Sequence, residues 1–173
     1  MPEDIAPMQA VPPEQLTKLP EKLQRWLGVD APFEFRHVWP QDKLHPTKRP
    51  PIQHIWFRLT APVSDSPMLQ RSLLAYASDF NLIGTATLPH GISYYTHNVQ
   101  MASLDHALWF HRPFRADEWL LYSIDSPSAQ GARGLARGQI YDRDGRLVAS
   151  TAQEGLIRVV ADPAAATHVP AKE

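Results

Sequence analysis

The chain has 173 residues, a formal net charge of −1 at pH 7, 43% hydrophobic residues and no cysteine. Such a length suits one domain with enough apolar content for a core; the balanced charge leaves no basic field for nucleic acid and no acidic tail of the chaperone kind, and the lack of cysteine excludes disulfides, thiolate catalysis and Cys-ligated metal. The N-terminus MPEDIAPMQAVPP has neither a basic n-region nor an apolar h-region, and no apolar run approaches the roughly 20 residues of a membrane helix, so a soluble cytoplasmic protein with no membrane partner is expected.

Ten of the 17 prolines fall in residues 1–51, a density that rules out long helices and central strands there. One short helix is expected over Pro13 to Leu27, where Leu16, Leu19, Leu23 and Leu27 recur at helical spacing across Pro20. Phe33 to Trp39 suits a short edge strand, and DKLHPTKRPP is loop. Residues 1–51 therefore read as a proline-rich linker or arm that packs on a domain. An arm of that length ahead of a compact domain implies a missing upstream portion.

The domain proper is expected over residues 52–160, starting with strand HIWFRLT at 54–60. Ser66 followed by Pro67 is a helix start, and the helix is expected over Met68 to Asp79. Its apolar face is Leu69, Leu73, Tyr76 and Phe80, widened by Leu74 and Ala77, which predicts a well-buried helix. Asn81 to Thr96 reads as loop. Strands follow at about 98–111, 118–128, 131–142 and 146–160, the last two joined by an Asp-Gly hairpin turn at 142–145. The tail 161–173 is expected to be disordered. Together these elements give an α+β fold, one buried helix wrapped by a curved antiparallel sheet.

The strand from 98 carries an anomaly. Period-two alternation puts Val99, Met101, Ser103, Asp105, Ala107 and Trp109 on one face, so a hydroxyl and a carboxylate share it with large apolar groups. Buried polar groups cost free energy unless hydrogen-bonded. Such residues are either paired structural groups or a site.

The segments LLAYASDFN (73–81), MASLDHALWFHRPF (101–114), EWLLYSIDSPSA (118–129) and ARGLARGQIYDRDGRLVASTAQEGLIR (132–158) resemble the acyl-CoA thioesterase II family. The resemblance covers residues 52–160, and residues 1–51 are similar to that family's interdomain linker. It implies a hot dog fold, a long central helix wrapped by a curved antiparallel β-sheet. The family carries two such domains in tandem, and this sequence resembles the second. The implied activity is hydrolysis of acyl-CoA thioesters to free fatty acid and coenzyme A, without a covalent intermediate or a cofactor. The implied site is Asp79 in YASDFN, Ser103 in MASLDH and Gln153 in STAQEG, set around one water.

Chemistry bears on each. A carboxylate at a helix C-terminus meets the negative end of the dipole, and burial with that dipole would raise the pKa of Asp79 as a general base requires; a solvated helix end is the alternative. Ser103 has no nucleophile-elbow motif, so it orients water or is a small core hydroxyl bonded to backbone. Gln153 does not titrate; it holds a water or polarises a carbonyl, or is an exposed strand amide.

Asp105 and His106 are adjacent in a strand and point to opposite faces, so they are expected to be structural hydrogen-bonding residues or a support to the site. The eight histidines are scattered without metal-ligand spacing, and no metal is expected. Arg112, Arg115, Arg133 and Arg137 are candidates for the phosphates of coenzyme A, with a solvated sheet face as the alternative. Gly84 and Gly91 would let backbone approach a thioester.

Two other functions compete. One is a non-catalytic acyl-CoA-binding or assembly half that needs its missing partner domain. The other is an enoyl-CoA hydratase using Asp79 with His90, whose spacing departs from the D-x-N-P-x-H pattern. Finally, Ile55, Phe57, Trp109, Trp119, Leu121 and Ile140 exceed what one helix would cover, which predicts an exposed patch and a twofold homodimer.

Overall fold

In the computed structural model, residues 1–7, 17, 32–93 and 99–160 are described. The helix expected over Pro13 to Leu27, Thr17 apart, and the tail 161–173 lie outside these residues. Among them no helix is long and apolar enough to cross a membrane.

Among the described residues, seven strands form one antiparallel sheet. They are β1 (Phe33–His37), β2 (Ile52–Leu59), β3 (Val99–Ser103), β4 (Ala107–Phe110), β5 (Leu120–Gln130), β6 (Arg133–Tyr141) and β7 (Leu147–Val159). Their order is β1-β2-β5-β6-β7-β3, with β4 also paired to β7. The sheet curls around helix α1 (Pro67–Ser78), giving the α+β hot dog arrangement. A 3₁₀ segment, Ile83–His90, follows α1 where plain loop was expected. The edge strand expected near Phe33 is β1, so part of the proline-rich stretch is integral to the sheet.

Alternation fixes which side chains meet α1. On β5 the inward set is Leu120, Tyr122 and Ile124, each about 1% exposed. Ile55 and Phe57 of β2 and Ile140 of β6 are fully buried beside them. Phe33, Phe35, Phe57 and Tyr122 form a run of ring contacts across β1, β2 and β5. This corrects the expected exposed patch. Ile55, Phe57 and Ile140 are core, and Trp119 is covered by the guanidiniums of Arg36 and Arg58, 4.9 and 4.6 Å from its ring. Of that set Trp109 is the exposed member, at 52%.

The helix begins as the sequence implies, with Pro67 in its first turn after Ser66. Its core face differs from the expected stripe. Gln70, Leu74, Ala77 and Ser78 are buried, whereas Leu69 and Tyr76 are exposed, and Leu73 and Phe80 pack at the margin. Hydrogen bonds make the polar members of this face tolerable. Gln70 Oε1 accepts from Ala116 N–H at 2.7 Å, its Nε2 donates to Ser64 O at 2.9 Å, and Ser78 Oγ donates to Ala75 O at 2.9 Å.

The strand expected over 98–111 is two strands. Ser103 lies opposite Gly155, but Ala107 lies opposite Ala152, so β3–β4 holds one residue more than β7 over this interval. The N–H groups of Leu104 and Asp105 both reach Glu154 O, at 2.9 and 3.4 Å. Such a bulge bends the strand and re-aims its side chains. The hairpin turn is where Asp-Gly placed it, with Asp142 Oδ1 accepting from the N–H groups of Asp144 and Arg146.

One strand glycine is required by packing. A Cβ at Gly138 would fall inside van der Waals contact of the Tyr122 ring. Gly138→Ala is therefore expected to destabilise by about 1–3 kcal/mol. Urea unfolding should show a lower midpoint at unchanged slope.

Candidate active site

The end of α1, the bulge after β3 and the middle of β7 converge on one cluster. Asp79 is the C-terminal cap residue of α1. Its Oδ1 accepts from Gln153 Nε2 at 2.6 Å and from Ser103 Oγ at 3.4 Å. Asp79 thus touches both of the other residues singled out in the sequence. Gln153 is fully buried on the inner face of β7, while the Asp79 side chain is 57% exposed. The burial expected for Asp79 is absent in this chain; its carboxylate faces open space.

That space is a cavity of about 1070 Å³ between the loop at 40–49, the start of the 3₁₀ segment and β3. Asp79 and Ser103 line it, together with Phe80, Gly84, Leu88 and Met101. Gln153 stands behind them. Both of its amide hydrogens have acceptors, Asp79 Oδ1 and His106 Nδ1 at 3.2 Å. Its Oε1 is buried without a hydrogen-bond partner.

His106, read from the sequence as a structural hydrogen-bonding residue or a support to the site, bonds to the cluster itself. The bulge turns it inward, where Nε2 meets Ser78 Oγ at 2.9 Å and Nδ1 lies 4.0 Å from Asp79 Oδ1. Asp105 turns the other way and accepts from Glu154 N–H at 2.7 Å, the structural role expected of it. Beneath them, Tyr122 Oη donates to Ser78 O at 2.9 Å and lies 2.8 Å from Thr151 Oγ1. Burial pushes the Tyr122 phenol above its ordinary range, and the nearby Asp79 charge adds to this. The break in apolar alternation across Ser-Leu-Asp-His was the signal for this inward turn.

The arginines proposed for coenzyme A phosphates are otherwise engaged. Arg115 pairs with Asp65 and Asp117, Arg137 with Asp125 at 2.5 Å and Arg133 with Glu154 at 3.5 Å, while Arg112 donates to Leu147 O at 2.7 Å. The cavity is lined instead by Lys43 and Arg49, with His37 and His45. His37 is 8% exposed, and burial, reinforced by the Lys43 charge, lowers its imidazole to about 4. Gly91 also lines the cavity, and the fold itself requires glycine there: its φ is +62°, and a Cβ would press on Lys48. His90 of the hydratase alternative is not among the cavity residues. Among the described residues no three His, Cys, Asp or Glu side chains converge as a metal set.

The sequence profile of the family described as acyl-CoA thioesterase matches residues 28–156. Acyl-CoA thioesterase 2 of Haemophilus influenzae is 40% identical over 157 residues, covering 91% of this chain and 55% of that protein. Acyl-coenzyme A thioesterase 8 of Homo sapiens is 39% identical over 148 residues, 85% of this chain and 46% of that protein. The crystal structure of an acyl-CoA thioesterase II, TesB2, from Mycobacterium marinum superposes with a TM-score of 0.64 at 42% identity, covering 90% of this chain and 57% of that one. A hot dog protein of Alicyclobacillus acidocaldarius, 14% identical at a TM-score of 0.62, shares the fold. The chain spans about half the length of the curated relatives it matches. With its profile match across most of the sequence and its 40% identity to such a relative, the chain belongs to the acyl-CoA thioesterase family.

Proposed function

We propose that this chain hydrolyses acyl-CoA thioesters, with Asp79 as general base, Ser103 as its partner in holding water and Gln153 as the residue that fixes the carboxylate. The observation that carries this reading is the meeting of Asp79 and Ser103 on the wall of the cavity, backed by Gln153. The hydrogen bonds from Ser103 and Gln153 both go to Asp79 Oδ1, and in this reading Oδ2 is the atom that takes a proton from water. Ser103 spends its hydrogen on Asp79, so its lone pairs accept from the same water. The water's oxygen then attacks the thioester carbonyl as Oδ2 takes its proton. The C–S bond breaks and coenzyme A leaves as a thiolate, a good leaving group that needs no strong acid. Release of free thiol from a fatty acyl-CoA, followed with a thiol-reactive chromophore, tests this directly; no release above the uncatalysed rate rejects it.

The hydroxyl is needed here for its oxygen's position and not as a nucleophile. Ser103→Thr should retain most of the activity, since threonine suits a strand. Ser103→Ala should lose about tenfold or more in kcat. Mass spectrometry that traps an acyl group on Ser103 would replace the water mechanism with a covalent one.

A binding or assembly half is the second reading, favoured by the exposure of the cluster beside an edge strand. Among the described residues β3 and β4 pair with β7 alone, and Leu104 and Trp109 beside them are 57% and 52% exposed. Exposed strand edges are normally paired or blocked. The homodimer expected from the sequence is proposed to form along this edge, where it would also shield the site from bulk water. Light scattering at micromolar concentration checks it, and a monodisperse monomer would refute it.

A further inference from the structure

We propose that His106 is a positioning residue for this reaction: as the neutral Nε2–H tautomer it locks the Gln153 amide with both N–H groups directed at acceptors, one of them Asp79. The inference rests on the hydrolase reading above. It comes from counting hydrogens around the cluster.

Ser78 has one hydroxyl hydrogen, and Ala75 O takes it at 2.9 Å. Ser78 Oγ therefore accepts from His106 Nε2, 2.9 Å away, and that nitrogen carries the ring proton. Nδ1 is then a lone pair, and it faces Gln153 Nε2 at 3.2 Å. The amide nitrogen is thus held between two acceptors, a carboxylate oxygen and an imidazole nitrogen. Turning the amide over would set its carbonyl oxygen against Asp79 Oδ1, where Nε2 now sits at 2.6 Å, and against the Nδ1 lone pair. The present orientation leaves Oε1 buried and unpaired, a cost that these two acceptors offset together. With only one of them the amide would sample both orientations, and Asp79 would lose its fixed partner.

Two isosteric variants separate positioning from anchoring. In His106→Asn the side-chain oxygen takes the place of Nδ1 and can still accept from Gln153, while the contact to Ser78 is lost. In His106→Gln the amide nitrogen takes the place of Nε2 and keeps Ser78, while the acceptor for Gln153 is lost. For a fatty acyl-CoA, kcat should stay within a few-fold of the parent in the asparagine variant. In the glutamine variant it should fall on the order of tenfold to a hundredfold with KM little changed. Equal activity in both variants, or retention by glutamine with loss by asparagine, overturns the proposal.

The second measurement needs no turnover. Long-range ¹H–¹⁵N spectra of the full chain at pH 7.5 should show the His106 ring protonated at Nε2 only. The Gln153 side-chain amide should give one slowly exchanging pair of signals, kept in His106→Asn and lost in His106→Gln. A ring protonated at Nδ1, or an imidazolium at that pH, overturns the assignment. If the parent chain releases no thiol, the hydrolase reading falls, while these spectra still decide the tautomer and the amide lock.

Discussion

Asp79→Asn will lower thiol release from a long-chain acyl-CoA about a hundredfold or more, the usual weight of a general base, with the fold intact. Among Asp79, Ser103 and Gln153 the aspartate alone can accept a proton at neutral pH. Asparagine keeps the oxygen that receives the Gln153 and Ser103 hydrogen bonds, so the cluster's geometry survives. The side chain is 57% exposed at the end of α1, so little packing changes and the unfolding temperature should hold. The comparison is made in a parent that turns over, with a first domain joined to it if needed. Equal turnover in parent and variant would remove Asp79 from the mechanism.

The second large effect is on stability and follows from His37. Its imidazole is 8% exposed at the end of β1, and burial lowers its pKa from 6.5 to about 4. The unfolded chain therefore binds a proton between those values that the folded chain refuses. The stability associated with neutral His37 is fully present above pH 6.5 and is lost as pH falls toward 4. The difference is about 3 kcal/mol at full expression. His37→Gln, which does not titrate, should flatten the dependence of unfolding free energy on pH across that window by a similar amount. Parallel curves for the two proteins would show that His37 is already open to protons in the folded state.

Period-two patterning located β2, β5, β6 and β7, and the turn chemistry of Asp-Gly located the last hairpin, because those features are local. The helix face was legible only to within about one position. Hydropathy ranks Gln70 and Ser78 as outward residues, whereas hydrogen bonds to Ala116, Ser64 and Ala75 let both sit inside. The 3₁₀ segment carries Pro89 and no helical stripe, and its place depends on packing against glycines of the sheet. A Cβ at Gly134 or Gly155 would strike Ile83 or Ala86, a constraint invisible in one dimension. Asp79 and Gln153 came from the resemblance, and patterning marked Ser103 only as a polar residue on an apolar face, with its role supplied by the resemblance. Their contact joins positions 24 and 74 residues apart, which no local rule connects. That His106 shares the face of Ser103 was not legible, because strand alternation assigns it to the opposite face.

That assignment fails by one residue, and the count has a consequence for how this chain tolerates change. Removing any one of Leu104, Asp105 or His106 would let the ladder from Val99 to Phe110 run unbroken along β7. The shortened protein would be a more regular sheet, and with Leu104 or Asp105 gone His106 would stand two positions after Ser103, on the same face and still opposite Gln153. Leu104 makes the contrast plain. It is 57% exposed, and its deletion would leave Ser103 and His106 together on the inner face, whereas deletion of His106 would set Asp105 opposite Gln153 instead. What this segment preserves is a histidine opposite Gln153 on the face of Ser103, which outlasts the loss of position 104 but not of position 106, and a library that varies letters but not lengths would leave that difference unseen.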